Sequence, residues 1–281
     1  MNQPLVSIIC LSYNHSEFVA EAISSVLGQN YPNIELIVVD DGSSDDSRQV
    51  IEEYIKGTDS KFIVLEKNVG NCKAFNKGFR KSKGDFIIDL AADDVLLPDR
   101  VMEGISSFNK NDIGVHFCNT VFIDINGNET GYHFEHNKDG KLMQEVPQGD
   151  VYIDLIERYF ISPPTMMIRR EVLEELDGYD ETLLYEDFDF WIRSSRNWKY
   201  GYTDKVLVKK RILDNSHSKS QFQFRSSHQK STLAVCQKIK ALNRTVDENQ
   251  ALRRRCWYEI KQCIRQGNFS LIPYFMRLLF V

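Results

Sequence analysis

The sequence predicts an α/β protein with a doubly wound, mostly parallel sheet and a C-terminal helical extension. Three observations predict it. Short apolar runs rich in β-branched residues alternate with amphipathic stretches over roughly the first hundred residues. Near residue 114 that alternation gives way to a hairpin pattern, and from about residue 222 the chain turns helical and basic.

The elements follow in order. "LVSIICLSY" (5–13) is the first strand, and "SEFVAEAISSVLGQ" (16–29) places Phe18, Val19, Ala22, Ile23, Val26 and Leu27 at helical spacing. Ser16 is the expected N-cap, with Gly28 near the stop. "ELIVVDD" (35–41) is the second strand, and "SDDSRQVIEEYIKG" (44–57) is a helix entered through capping residues. "KFIVLE" reads as a strand, "NCKAFNKGFRKSKG" as a helix closed by Gly84, and "DFIIDLAADD" as the fourth strand. Beyond it come a hairpin turning at Asn126-Gly127, a break at Ser162-Pro163-Pro164, the short strand "TMMIRR", a helix over 186–197 and the strand "KVLVKKRIL". We divide the chain into residues 1–215, the sheet domain, and 216–281, the basic extension.

Composition excludes several classes. At 42% apolar and 27% charged residues the chain is of ordinary globular type rather than fibrous or disordered. It shows no leader-like N-terminus and no run of 18 apolar residues, so we expect a cytoplasmic protein. The six cysteines form no CxxC pair and no metal-ligand spacing, and read as reduced core thiols. Charge is strongly divided. Residues 1–204 carry 19 Lys+Arg against 36 Asp+Glu (−17), whereas 205–281 carry 16 against 4 (+12). Such a tail meets something anionic, either the acidic body or a charged surface.

In a doubly wound sheet, ligands bind beyond the carboxyl ends of the strands. That rule singles out Tyr13, Asp40, Asp41, Asp93 and Asp94, each following an apolar run. Neither GxxxxGK[ST] nor a GxGxxG after the first strand occurs, so a diphosphate needs its charge met another way. A divalent cation held by one or two carboxylates would do so, and Asp93-Asp94 is such a half-site. Adjacent aspartates also serve as solvated turns, so spacing alone leaves both readings open.

The set "VSIICLSYN", "VVDDGSSD", "NVGNCKAFNKG", "AADD" and "YEDFDFW", in order over roughly residues 5–213, resembles the family 2 glycosyltransferases, which have the GT-A fold. The resemblance implies a metal-dependent, inverting transfer from a nucleotide-diphosphate sugar, UDP-linked, in surface polysaccharide synthesis. Tyr13 would then stack near the base. Asp41 would accept a hydrogen bond from it, with Asp40 beside it. Asp93 would contact the ribose, Asp94 would ligate Mn²⁺ or Mg²⁺, and Asp187 would be the catalytic base. Asp187 also suits a plain helix N-terminus, and Tyr13 could simply pack on the next helix.

The chain departs from the family pattern at Ala91, where a further aspartate is common, and at Leu11, where some members are polar. Phe75 stands where arginine is frequent, and Lys73 is a substitute contact for the diphosphate. His217, past the last strand, is a further candidate for the metal or a phosphate.

Partners follow from the same reading: the donor, a glycan or lipid-linked acceptor, and no nucleic acid, since no reading motif accompanies the basic tail. "LRRRCWYEIKQCIRQ" and "FSLIPYFMRLLFV" suit the inner face of a membrane as a peripheral contact, a homodimer contact, or a cap on the sheet domain. Two rivals remain. A nucleotidyltransferase would need a basic, glycine-rich loop where "LSYNHSEF" stands, and a silent homologue would act as a binding or scaffold protein.

Overall fold

Period-two alternation sets the layers. In β1 (Val6–Ser12), Val6, Ile8 and Cys10 face one side of the sheet while Ile9 and Leu11 face the other. β2 (Ile34–Asp40) divides likewise, Leu36 and Val38 against Ile37 and Val39. β4 (Phe86–Ala91) sends Phe86, Ile88 and Leu90 to the first side and Ile87 to the second. Strands with apolar residues on both faces must be covered on both, which is why they read as continuous apolar runs.

The computed structural model describes residues 3–108, 112–213, 224 and 226–280. The sheet runs β3–β2–β1–β4–β8–β6–β9–β5, with β3 (Lys61–Val64), β5 (Val95–Leu96), β6 (Ile113–Ile123), β8 (Met167–Arg169) and β9 (Lys199–Arg211). β7 (Glu129–Tyr132) pairs with β6. Pairing is parallel from β3 to β4 and again along β6–β9. Short antiparallel seams at β8 and β5 join the parts, so the sheet is mixed but mostly parallel, as the sequence predicts.

One core lies under α1 (Val19–Leu27), α2 (Ser47–Ile55) and α4 (Arg100–Ser107), which contribute Val19, Ile23, Ile51 and Val101. The other lies under α3 (Asn71–Phe79), α5 (Tyr152–Glu157), α6 (Arg170–Glu175) and α7 (Asp187–Ser194). The tail helices α8 (His228–Leu242), α9 (Val246–Gln266) and α10 (Ile272–Leu279) join this second core. Ile239, Leu252, Cys256 and Phe275 share it with Phe75, Phe188 and Trp191. Burial of a side chain such as Phe275 contributes about 1.5–3 kcal/mol. Polar contacts run the same way. Lys238 bridges Asp180 and Asp189 at 2.5 Å each, and Arg196 meets Glu248 at 2.9 Å. Part of the tail's positive charge is therefore met by the acidic body.

Several boundaries differ from the sequence expectation; the last strand, expected over 205–213, runs from Lys199 to Arg211. Ser16 does not cap α1: the helix starts only after Phe18, and Ser16 is tied to Asp45 on another loop. Gly84 does not close α3, which ends at Phe79; it stands before β4, where a Cβ would lie 2.4 Å from the Ser7 nitrogen. The six cysteines are buried and free, and the hairpin turns at Asn126-Gly127, with Gly127 at φ 84°.

The turn after β2 depends on Gly42. Its φ of 76° is left-handed, and an added Cβ would stand 2.4 Å from the Lys67 carbonyl carbon. Gly42→Ala should therefore cost about 2–4 kcal/mol of stability, read as a lowered urea midpoint. An unchanged midpoint would contradict this close backbone approach.

Candidate active site

The ends of β1, β2 and β4 form one rim, and backbone-directed hydrogen bonds shape it. The loop after β1 is stapled to the loop after β2. Asn14 Oδ1 accepts from the Ser44 N–H at 2.8 Å, and the Asn14 N–H donates to Ser43 Oγ at 2.9 Å. His15 N–H donates to Ser47 Oγ at 2.9 Å and Ser16 N–H to Asp45 Oδ2 at 3.0 Å. Burial alone would raise the Asp45 carboxyl, but the Ser47 hydroxyl and the N–H groups of Ser16 and Ser47 hold it down at about 2. Neither Asn14 nor Asp45 stands out in the sequence, because each looks like one more polar turn residue.

The acid pair after β2 divides its work. Asp40 is fully buried, and its Oδ1 accepts from Arg48 Nε at 2.8 Å and Ser43 N–H at 3.0 Å. It shapes the turn, and only its buried Oδ2 lacks a partner. Asp41 reaches across to the loop before α3, accepting the N–H groups of Val69 at 2.8 Å and Gly70 at 3.0 Å. Each of its oxygens keeps a second lone pair. Tyr13 stands exposed beyond β1, and Lys73 is exposed on the first turn of α3. Phe75 is wholly buried and stacked on Tyr179 with ring centroids 4.2 Å apart, so that position belongs to the core.

Asp93 and Asp94 form the turn between β4 and β5, and the end of β9 clamps it. The Arg211 N–H donates to Asp94 Oδ1 at 2.9 Å, and its Nε to the Asp93 carbonyl at 3.1 Å. The same guanidinium donates to the carbonyls of Asp124 and Ile125 at 3.0 and 3.2 Å and to Glu21 at 2.6 Å. It lies 4.8 Å over the Phe18 ring and is only 4% exposed. Burial and the neighbouring Asp93 push the Asp94 carboxyl up to about 8.

Two adjacent carboxylates, one with Oδ2 outside the clamp, match the donor set of a hard divalent cation that completes its shell with phosphate oxygens and water. No group of three or more His, Cys, Asp or Glu suited to a metal occurs among the described residues, so the protein's share is this pair. His217 lies outside the described residues.

A further acid stands at the start of α7. Asp187 carries a buried Oδ1 without a hydrogen-bond partner. Burial, with Glu186 beside it, pushes its carboxyl well above the usual carboxylate range. Lys210 on β9 opposes this by its charge at both Asp94 and Asp187. Sequence reasoning missed Lys210 and Arg211, which look like ordinary members of a basic strand. It also missed Asp89, hidden inside an apolar run.

The sequence model described as Glycosyl transferase family 2 matches residues 7–177. The chain belongs to that family. An uncharacterized glycosyltransferase of Methanocaldococcus jannaschii is 31% identical over 224 residues, 75% of this chain and 72% of the relative. One of Rickettsia prowazekii is 32% identical over 213 residues, 74% of this chain and 64% of the relative. The poly-beta-1,6-N-acetyl-D-glucosamine synthase of Staphylococcus epidermidis is 39% identical over 106 residues, 38% of this chain and 26% of that protein.

Among solved structures, S. aureus TarS in complex with UDP-GlcNAc superposes with a TM-score of 0.68 at 19% identity, covering 98% of this chain and 79% of that one. The mannosyltransferase PcManGT of Pyrobaculum calidifontis, in complex with GDP-Man and Mn²⁺, gives 0.65 at 12%, covering 99% and 86%. These likenesses give the GT-A architecture to the family 2 chain.

Arg211 makes its own prediction. Arg211→Lys keeps the charge but loses the fork that serves four carbonyl and carboxylate partners. It should lower stability by about 2–4 kcal/mol, read by chemical denaturation; a parental midpoint would show that the clamp is dispensable.

Proposed function

We propose that this family 2 protein moves a sugar, with inversion, from a nucleotide-diphosphate donor, UDP-linked, to a glycan or lipid-linked acceptor in surface polysaccharide synthesis. One observation carries the reading. The Asp93-Asp94 turn is clamped by Arg211, Asp187 Oδ1 is buried without a partner, and the charge of Lys210 acts on both Asp94 and Asp187. The named ligands of TarS and PcManGT, UDP-GlcNAc and GDP-Man with Mn²⁺, agree with it.

The roles follow from the chemistry of each group. Tyr13 offers an exposed ring to the base, and Asp41 offers its remaining lone pairs to a base N–H. Asp93 accepts from a ribose hydroxyl, and Asp94 holds Mn²⁺ or Mg²⁺ beside it. Lys73 reaches toward the diphosphate from the first turn of α3. The cation supplies charge neutralisation for the departing diphosphate. Asp187 takes the proton of an acceptor hydroxyl as that oxygen bonds to the anomeric carbon and the carbon–oxygen bond to the diphosphate breaks. A single displacement inverts the centre. Burial favours this role, since a carboxylate with raised proton affinity is a better base.

Calorimetric titration of UDP with Mn²⁺ should show binding that EDTA abolishes. Asp187→Asn should leave that binding within about twofold while lowering turnover at least ~100-fold. No UDP binding in either condition would favour the rival reading, a silent homologue acting through partners. Normal turnover of Asp187→Asn would remove Asp187 from the mechanism.

The acceptor side rests on the tail. Between residues 249 and 280, Arg253, Arg254, Lys261, Arg265 and Arg277 are exposed, and the sole acid, Glu259, is buried against Arg255. Interleaved with them, Trp257, Tyr258, Ile264, Phe269, Tyr274 and Phe280 are exposed too, Phe280 at 82%. Such aromatic and basic groups suit an anionic lipid surface at the inner face of the membrane, although Arg254 also pairs with Glu157 of the body. No helix among the described residues is long and apolar enough to cross a membrane. Sedimentation with phosphatidylglycerol vesicles should carry the protein down, with phosphatidylcholine vesicles much less, and Trp257→Ser with Phe280→Ser should weaken it severalfold. Equal partitioning with both lipids would point to the homodimer instead, which a solution mass would reveal.

A further inference from the structure

Asp187, the carboxylate given the role of base, stands on a helix that does not fix its own start. α7 has eight residues, too few for stability without tertiary support. Its N-cap, Glu186, makes no side-chain capping bond, so no cap anchors the first turn. The chain leading into it, 176–186, is irregular and passes through left-handed backbone at Asp177 (φ 55°) and Gly178 (φ 75°).

The tail holds that segment on both sides of Asp187. Before it, the Leu184 N–H donates to Ser231 Oγ at 3.1 Å, and the Tyr185 hydroxyl lies 2.6 Å from Thr232 Oγ1. The Tyr185 ring stacks on His228, with centroids 5.8 Å apart and planes at 25°. After it, Lys238 Nζ donates to Asp189 Oδ1 and to Asp180 Oδ2, so one ammonium spans the segment from end to end. His228, Ser231, Thr232 and Lys238 fall on one face of α8 at helical spacing. From α9, the Arg255 guanidinium lies 4.3 Å over the Phe188 ring and 4.4 Å over Tyr159, whose ring meets Phe188 edge-on at 5.0 Å. Arg255 is buried, and Glu259 accepts from its Nε at 2.8 Å, so its charge is met within α9 and its plane serves as a packing surface. The body acts further upstream, where Asn76 bonds both backbone groups of Tyr179 and donates to Glu181 at 3.0 Å. Nearer Asp187 it offers the Cys72 thiol, a weak donor 3.7 Å from the Leu183 carbonyl.

We propose that the C-terminal extension is part of the catalytic unit, with Thr232 and Lys238 as positioning residues that hold Tyr185 and Asp189 and so fix Asp187 between them. The inference rests on the role given to Asp187 above. A base displaced by about 1 Å from the acceptor hydroxyl can lose ~100-fold in rate. The Asp41 loop and the Asp93-Asp94 turn take their bonds from Val69, Gly70 and Arg211 rather than from the tail. Loosening the tail contacts should therefore reduce rate and spare nucleotide affinity.

Thr232→Val keeps the shape and removes the hydroxyl. Lys238→Met removes the ammonium and leaves Asp189 paired with Arg193 at 2.6 Å, so both proteins should fold. Each should lower kcat at least ~10-fold, with the donor KM and the UDP dissociation constant within about twofold of wild type. Lys238→Arg, which can still bridge two carboxylates, should recover most of the loss. Hydrogen exchange of the full-length protein reads the same contacts without turnover. Amides of 180–190 should exchange severalfold faster in Thr232→Val and Lys238→Met, and those of β1 and β2 as in wild type. Wild-type exchange over 180–190 in both variants overturns the proposal. So does faster exchange there with unchanged kcat, and so does loosening spread evenly over the whole chain. Faster exchange confined to 180–190, in a protein whose wild type transfers no nucleotide sugar, keeps the tail's hold on the segment and overturns the transferase reading instead.

Discussion

The buried guanidinium of Arg211 holds the acid rim in place. An aspartate pair at a strand end repels itself and is expected to splay into solvent. Here one side chain reaches four parts of the chain at once, tying β9, the turn after β4, the hairpin turn and α1 together. It donates mainly to carbonyl oxygens and to one acid at the periphery. The Asp93-Asp94 turn is thus positioned through its backbone and one Asp94 oxygen, and a cation binding there would displace the proton that burial helps Asp94 to retain. A lysine on Asp94 would have cancelled the field the site needs.

The rest of the rim follows the same economy. Asp41 and Asp45 spend their oxygens on backbone N–H groups, and Asp40 spends one on Arg48. Three aspartates therefore act as connectors between loops, and the loops present Tyr13 and the Asp93-Asp94 turn. Rigid connections matter because nucleotide recognition needs partners fixed in advance, and each loop alone would lose much conformational entropy on binding.

Much of this fold was legible. Apolar runs with residues alternating between two cores announced a parallel sheet, and Asn126-Gly127 announced the hairpin. The tail's charge announced a partner, part of which is the acidic body itself. The misreadings share one cause: local pattern was taken as sufficient where a distant group had captured the residue. Ser16 has the chemistry of a cap, yet it is tied to Asp45 of another loop and the helix begins only at Val19. Gly84 has the chemistry of a stop, yet it is required by the approach of Ser7. Asp89 was invisible because one carboxylate among Phe86, Ile87, Ile88 and Leu90 reads as noise in a strand. Only the fold shows that it turns with Ile87 toward the second core. Arg211 was hidden for the opposite reason, as one cation among several in "KVLVKKR".

The second core is closed by helices encoded at the far end of the chain. During synthesis, the strands and α3 emerge long before α8, α9 and α10 exist. Until α8, α9 and α10 have emerged, the apolar layer around Phe75 and Phe188 has no complete cover. This half of the protein therefore assembles late relative to the strands it covers, and the nascent chain carries an aggregation-prone face until those helices arrive. The N-terminal layer under α1 and α2, built from local crossovers, can form earlier. The two faces of one sheet thus mature at different times.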